Sequence, residues 1–213
     1  MADVDGYILA GGASSRMGVD KAHLQLGHQN FVERIAQSLS RVATRTSVVS
    51  NKPDAGVWGL PVVKDVYKNC GALGGIHAAL VDAQAEWAMI VSCDLPFATD
   101  ELFQFLVSQR TQSNQHKELF QAVAPVQPDG RPQPLCALYA RQPCAEQTTK
   151  LLESGELRPR ELLKQVRTRW VESKELCHLR GAALFFMNVN TPQDYRQALE
   201  QFKQERLADV KEK

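Results

Sequence analysis

The sequence predicts an α/β fold, on two observations. Through the first half, short β-rich apolar runs alternate with stretches of helical periodicity, the pattern of βαβ crossovers with helices on both faces of a parallel sheet. Beyond residue 119, two extended runs flank a turn-rich segment, which introduces hairpin pairing. Together they describe a three-layer α/β/α sandwich with a Rossmann-like, mostly parallel sheet and an antiparallel addition in the C-terminal half.

The elements follow in order. Tyr7 to Ala10 is an apolar strand running straight into glycines. Val32, Ile35, Ala36 and Leu39 fall at i, i+3, i+4 and i+7, and Asn30 with Glu33 three residues on has the form of a capping box, so a helix starts there. Thr46 to Ser50 and Pro61 to Lys64 are the next strands. Gly71-Ala72-Leu73-Gly74-Gly75 reads as a loop ahead of a helix carrying Ile76, Ala79, Leu80 and Ala83. Trp87 to Ser92 is a fourth strand, and a helix begins near Thr99. Gln109 to Lys117 is polar and patternless, a surface connection. Phe120 to Val126 and Leu135 to Tyr139 are extended runs around the turn Pro128-Asp129-Gly130-Arg131-Pro132. Glu153 to Arg180 is charge-dense and yields at least one helix, around Arg160 to Val166. Phe185 to Val189 reads as a strand. Thr191-Pro192-Gln193-Asp194 then supplies an N-cap, a proline at the first helical position and an acid at the third, opening a last helix through Tyr195, Ala198, Leu199 and Phe202. No repeat or low-complexity tract divides residues 1–213, which read as a single domain.

Composition removes several classes of function. With 44% hydrophobic and 23% charged residues, the chain is neither disordered nor fibrous. Lys plus Arg number 25 against 24 acids, a net charge of +1, so there is no global field for nucleic acid or an acidic membrane and any polyanion is held by a local site. Five cysteines, with no C-x-x-C pair and an odd total, argue against a disulfide framework or zinc knuckle and for small buried thiols. No apolar run nears the roughly 20 residues that span a bilayer, and Met1 to Asp5 lacks a basic leader pattern. A cytoplasmic protein is expected.

The run Leu9-Ala10-Gly11-Gly12-Ala13-Ser14-Ser15-Arg16-Met17-Gly18-Val19-Asp20-Lys21 has the chemistry of a phosphate cradle. Adjacent glycines let backbone N–H groups approach an anion, Ser14 and Ser15 add donors, and Arg16 and Lys21 add charge. It is neither G-x-x-x-x-G-K-[ST] nor G-x-G-x-x-G, which excludes a P-loop and disfavours a dinucleotide fingerprint. Asp94, just past an apolar strand, projects at the sheet's carboxyl edge, where one carboxylate with substrate phosphates and water suffices for Mg2+; a turn or cap role is the alternative. Asn51 and Asp65 stand at successive strand ends and read locally as turn residues. Asn188 and Asn190 alternate along the last predicted strand and so share a face, serving either a ligand or local backbone groups.

L-A-G-G-x-S-x-R-M-G-x-D-K resembles the signature loop of the molybdenum cofactor guanylyltransferases, the MobA family of nucleotidyltransferases. Ser50-Asn51, Asp65 before Gly71 to Gly75, Ser92-Cys93-Asp94-Leu95-Pro96-Phe97 and Phe186-Met187-Asn188-Val189-Asn190-Thr191-Pro192 match in the same order, from Leu9 to about Tyr195. The resemblance implies transfer of GMP from GTP to molybdenum-molybdopterin with release of pyrophosphate. It implies Arg16, Lys21 and Asp94 as catalytic residues, and a GTP site of Leu9, Ala10, Gly11, Gly12, Lys21, Asn51, Asp65 and Asp94 in the N-terminal half. Mg2+ on Asp94, Asn188 and Asn190 toward the acceptor in the C-terminal half, and cofactor insertion and delivery proteins as partners complete the expectation. A cytidylyltransferase on the same cofactor, or another small-molecule nucleotidyltransferase on the same fold, is the nearest rival, disfavoured because relatives using CTP on this cofactor show L-A-A-G at the loop. A noncatalytic GTP-binding adapter is disfavoured by Asp94 and Lys21 occurring together.

Overall fold

The computed structural model describes residues 4–11, 21–52, 55–111 and 119–211. In chain order the strands are β1 (Val4–Leu9), a small antiparallel pair β2 (Gln25–Leu26) and β3 (Gln29–Asn30), β4 (Arg45–Val49), β5 (Val62–Val63), β6 (Trp87–Ser92), β7 (Ala122–Pro125), β8 (Cys136–Ala140) and β9 (Thr168–Val171). The helices are α1 (Phe31–Leu39), α2 (Gly71–Asp82), α3 (Asp100–Gln109), α4 (Arg141–Glu153), α5 (Pro159–Gln165), α6 (Ser173–Leu176) and α7 (Pro192–Lys211).

Among the described residues, seven strands form one sheet in the order β5-β4-β1-β6-β8-β7-β9. Every neighbouring pair is parallel except the two made by β8, so β8 is the antiparallel addition. Residue alternation sorts the core into two layers. Val4 and Ile8 of β1, Met89 and Val91 of β6 and Leu138 of β8 pack with α1 and α3 on one face. Tyr7 and Leu9, Ala88 and Ile90, and Tyr139 pack with α2, α4 and α5 on the other. Strands covered on both faces are apolar throughout, and all six residues of β1 are buried. A third cluster, with Leu26, Phe31, Phe97, Val189 and Ala198, seats α7 beside the β2–β3 pair.

Cap chemistry sets several helix starts. Asn30 Oδ1 accepts from Glu33 N at 2.9 Å while Glu33 Oε2 accepts from Asn30 N at 2.8 Å, the capping box expected for α1. Thr99 Oγ1 accepts from Leu102 N at 3.4 Å at the start of α3.

Two expectations change, and the charge-dense segment gains an element. Gly71 to Gly75 is not a loop ahead of α2 but its opening turns; Gly71 itself has φ +56°, a left-handed entry that glycine tolerates. The charge-dense segment holds β9 at the sheet edge besides α5. Phe185 to Val189 is not a strand: residues 181–186 form successive turns, with Leu184 N donating to Gly181 O and Met187 N to Leu184 O. Its apolar residues feed two clusters, Phe185 beneath the sheet and Val189 beneath α7, so the run is apolar because it is buried on two sides and not because it is extended.

Candidate active site

Leu9 of β1 pairs with Val49 of β4 and with Ser92 of β6, and Val49 with Val63 of β5, so four parallel strands end level. The chain leaves β1 toward β4 and β5 on one side and reaches β6 on the other, the reversal at which such sheets open a crevice at their carboxyl edge. A cavity of about 490 Å3 lies there, lined by Leu9, Gly11, Val49, Asn51, Asp65, Asn69, Gly71, Ala72, Gly75, Ser92, Asp94 and Leu135. Its size suits a small-molecule ligand. A larger hollow of about 610 Å3, at the other end of β6 and β8 beside Trp87, Arg141 and Pro143, brings together no glycine turn and no buried carboxylate oxygen left without a partner among the described residues.

The strand ends are tied across the crevice. Ala10 N donates to Val49 O, Ser50 N to Val63 O, Cys93 N to Leu9 O and Ser92 N to Leu135 O, at 2.8 to 3.0 Å. On the β4–β5 side, Asn51 Nδ2 donates to Asp65 Oδ2 at 2.8 Å and Asp65 N to Asn51 Oδ1 at 3.0 Å. Burial pushes the Asp65 carboxyl above its ordinary value and the bond from Asn51 opposes this. Asn69, at φ +61°, leads into Gly71, so two left-handed residues aim the start of α2 at the cavity. Sequence reasoning passed over Asn69; a turn-forming Asn two residues before a glycine was its signal. Gly74 allows the wall to close up: a Cβ there would lie 3.2 Å from the Tyr67 carbonyl and 3.0 Å from Cys70 Cβ.

Asp94 is the group that stands out. It lines the cavity, and its Oδ1 is buried with no hydrogen-bond partner among the described residues. A buried carboxylate oxygen without a donor fits a cation or its water shell. Among the described residues no three His, Cys, Asp or Glu side chains converge. That donor set suits a hard dication keeping its waters and substrate oxygens, rather than an all-protein cage. The residues present therefore fit Mg2+.

Lys21 opens a short 3-10 turn, Lys21–His23, and its Nζ donates to Asn190 Oδ1 at 2.5 Å. Asn190 is half-buried; Asn188 is exposed and donates to the Phe186 carbonyl at 3.2 Å. The two asparagines share no strand face, because that strand is absent. Of the expected residues, Leu9, Gly11, Asn51, Asp65 and Asp94 gather on the cavity, and Ala10 is buried beside it. Lys21 and Asn190 meet each other, and Asn188 turns to its own backbone. Gly12 and Arg16 lie outside the described residues.

Comparison with known proteins agrees with this geometry. Residues 6–170 match the family described as MobA-like NTP transferase domain. The chain is 32% identical over 195 residues to a protein of Pelotomaculum thermopropionicum named "Probable molybdenum cofactor guanylyltransferase", covering 91% of each. It is 29% identical over 197 residues to the "Molybdenum cofactor guanylyltransferase" of Desulfosudis oleivorans, covering 92% of this chain and 94% of the other. Its fold is similar to that of the molybdopterin-guanine dinucleotide biosynthesis protein A of Archaeoglobus fulgidus, with a TM-score of 0.78 at 22% identity over 94% of this chain and 99% of that one.

Proposed function

The chain belongs to the MobA-like NTP transferase family, and from that premise we propose that it is a molybdenum cofactor guanylyltransferase, moving GMP from GTP to molybdenum-molybdopterin and releasing pyrophosphate. Relatives at about this identity along nearly the whole chain carry that name. The observation that carries the reading is the buried Asp94 Oδ1, without a hydrogen-bond partner among the described residues, on a cavity that Gly11 and the start of α2 also line.

In the reaction, the acceptor's terminal phosphate oxygen attacks the α-phosphorus of GTP. A new P–O bond forms as the bond to the β-phosphate bridging oxygen breaks, and pyrophosphate leaves with that electron pair. The acceptor is ionised at neutral pH, so no general base is required. Positioning and charge neutralisation carry such transfers. Gly11 and Gly12 bring backbone close to the phosphates, and Arg16 and Lys21 meet their charge. Asn51, Asp65 and the opening turn of α2 form the donor's far wall, with Leu9 and Ala10 as its floor. Asp94 holds Mg2+, which supplies charge neutralisation at the phosphates when bound.

The N-terminal half takes GTP and the C-terminal half the pterin, with Asn188 on the acceptor side. Cofactor insertion and delivery proteins receive the product. Five free thiols suit the reducing cytosol, and no helix among the described residues is long and apolar enough to cross a membrane.

The test is pyrophosphate release with GTP, CTP and ATP, each with Mg2+ and molybdenum-loaded molybdopterin. GTP is expected to exceed the others by about a hundredfold or more, as polar base recognition permits. Equal or greater turnover with CTP overturns the guanylyl assignment.

A further inference from the structure

Asn190 lies on the segment expected to face the acceptor, yet its side chain is already engaged with a residue of the phosphate loop. Its Oδ1 accepts from Lys21 Nζ at 2.5 Å. The backbone around it is fixed on both sides. Asn190 N and Thr191 N both donate to Asp194 Oδ2 at 2.9 Å, inside the first turn of α7. One residue earlier, Val189 N donates to the Asp94 carbonyl at 2.9 Å, and Val189 is buried. Val189-Asn190 thus bridges the Asp94 turn and Lys21.

The chemistry of that contact is selective. A lysine on its four-carbon stem has many rotamers to lose on being ordered, so one held in advance loses less when a ligand arrives. An amide oxygen orients the ammonium without cancelling its charge, whereas a carboxylate would compete with phosphate for it. The nearby carboxylate, Asp194, accepts from two backbone N–H groups and acts on Lys21 only as a lesser through-space attraction.

We propose that Asn190 is a positioning residue on the donor side, holding the Lys21 ammonium beside the Asp94 turn for the triphosphate. The proposal rests on the reading above that Lys21 meets the GTP phosphates.

Two measurements decide it, on Asn190→Ala, Lys21→Ala and the double variant, each checked for an unchanged melting temperature. The first is GTP affinity without acceptor, by titration calorimetry. Asn190→Ala is expected to weaken GTP by about fivefold, and to add nothing in the Lys21→Ala background, the mark of two residues acting as one. An equal loss in both backgrounds overturns the proposal, as does a raised acceptor KM with GTP affinity unchanged.

The second measurement needs no nucleotide. Acetic anhydride labelling of Lys21, read by peptide mass spectrometry, is expected to quicken in Asn190→Ala. Equal rates overturn the pairing even where GTP binds as proposed. Faster labelling with a GTP affinity indifferent to Lys21→Ala overturns the positioning role from the other side, and locates the failure in the assignment of Lys21 to the phosphates.

Discussion

Asp94 Oδ1 is buried with no hydrogen-bond partner among the described residues, and leaving such a group unsatisfied costs about 1–3 kcal/mol. Groups of this kind persist where function needs them. A capping role does not account for it, because α3 is capped by Thr99. Asp94→Asn nearly preserves volume and removes the charge, so the melting temperature is expected to hold or rise slightly. Turnover should fall by orders of magnitude, since charge stabilisation by a metal is worth several kcal/mol and about 1.4 kcal/mol is tenfold in rate. The pairing of a steady-state assay with a thermal melt checks both halves. Near wild-type turnover with unchanged Mg2+ dependence would move the metal to Asp65, the other carboxylate on the cavity, whose Oδ2 already accepts from Asn51.

At the scale of elements, α7 shows how a cap reaches the chemistry. Bonds from the Asn190 and Thr191 N–H groups hold the Asp194 carboxyl below the usual range, that from Asn190 most of all, with help from the Thr191 side chain and Lys21. A depressed folded pKa contributes stability that is present above the unfolded value, about 3.9, and is lost as pH falls through the folded one. Asp194→Asn should therefore cost about 1 kcal/mol at neutral pH, and urea unfolding along a pH series should show the gap closing below about pH 3.9. A gap that persists at lower pH would mean that volume, not charge, sets the cap. This helix start was legible in Thr191-Pro192-Gln193-Asp194, as α1 was in Asn30 and Glu33, because caps are local chemistry. α4 was not: the residues it buries are Cys144, Thr148 and Leu152, which carry little apolar contrast. β9 was hidden for a similar reason, since only Val171 of its four residues is buried. Asp94 could be read from its place after an apolar run, whereas Asn51 and Asp65 read locally as turn residues and entered the site only through the family resemblance, and the bond from Lys21 to Asn190 joins residues 169 apart and has no local signal.

On the scale of the molecule, the sheet separates an edge that carries the cavity from an edge that carries a charged network. Opposite the cavity, Arg45 Nη2 donates to Tyr7 Oη at 2.8 Å and to Asp82 Oδ2 at 2.7 Å, and lies 3.7 Å from Asp5 Oδ2. Asp5 in turn accepts from Gln84 N and Ala85 N, and Tyr7 Oη donates to Asp82 Oδ2 at 2.9 Å. The network pins the starts of β1 and β4 to the end of α2. Arg45→Met keeps the aliphatic stem and leaves two carboxylates without their cation. Because Arg45 and Asp82 are about one-third exposed while Asp5 is buried, the cost should fall between surface and buried pairs, about 2 kcal/mol. For a chain of this length that lowers the melting temperature by about 4–8 °C. The charge change itself should not reach the cavity. The six residues of β1 span about 17 Å, about twice the screening length of about 8 Å at physiological salt. GTP affinity of the folded Arg45→Met protein is thus expected to stay within about twofold of wild type, a coupling of less than about 0.5 kcal/mol. Calorimetric titration well below the lowered melting temperature tests this, and a parallel loss of affinity would show that the two edges move together through β1 and α2.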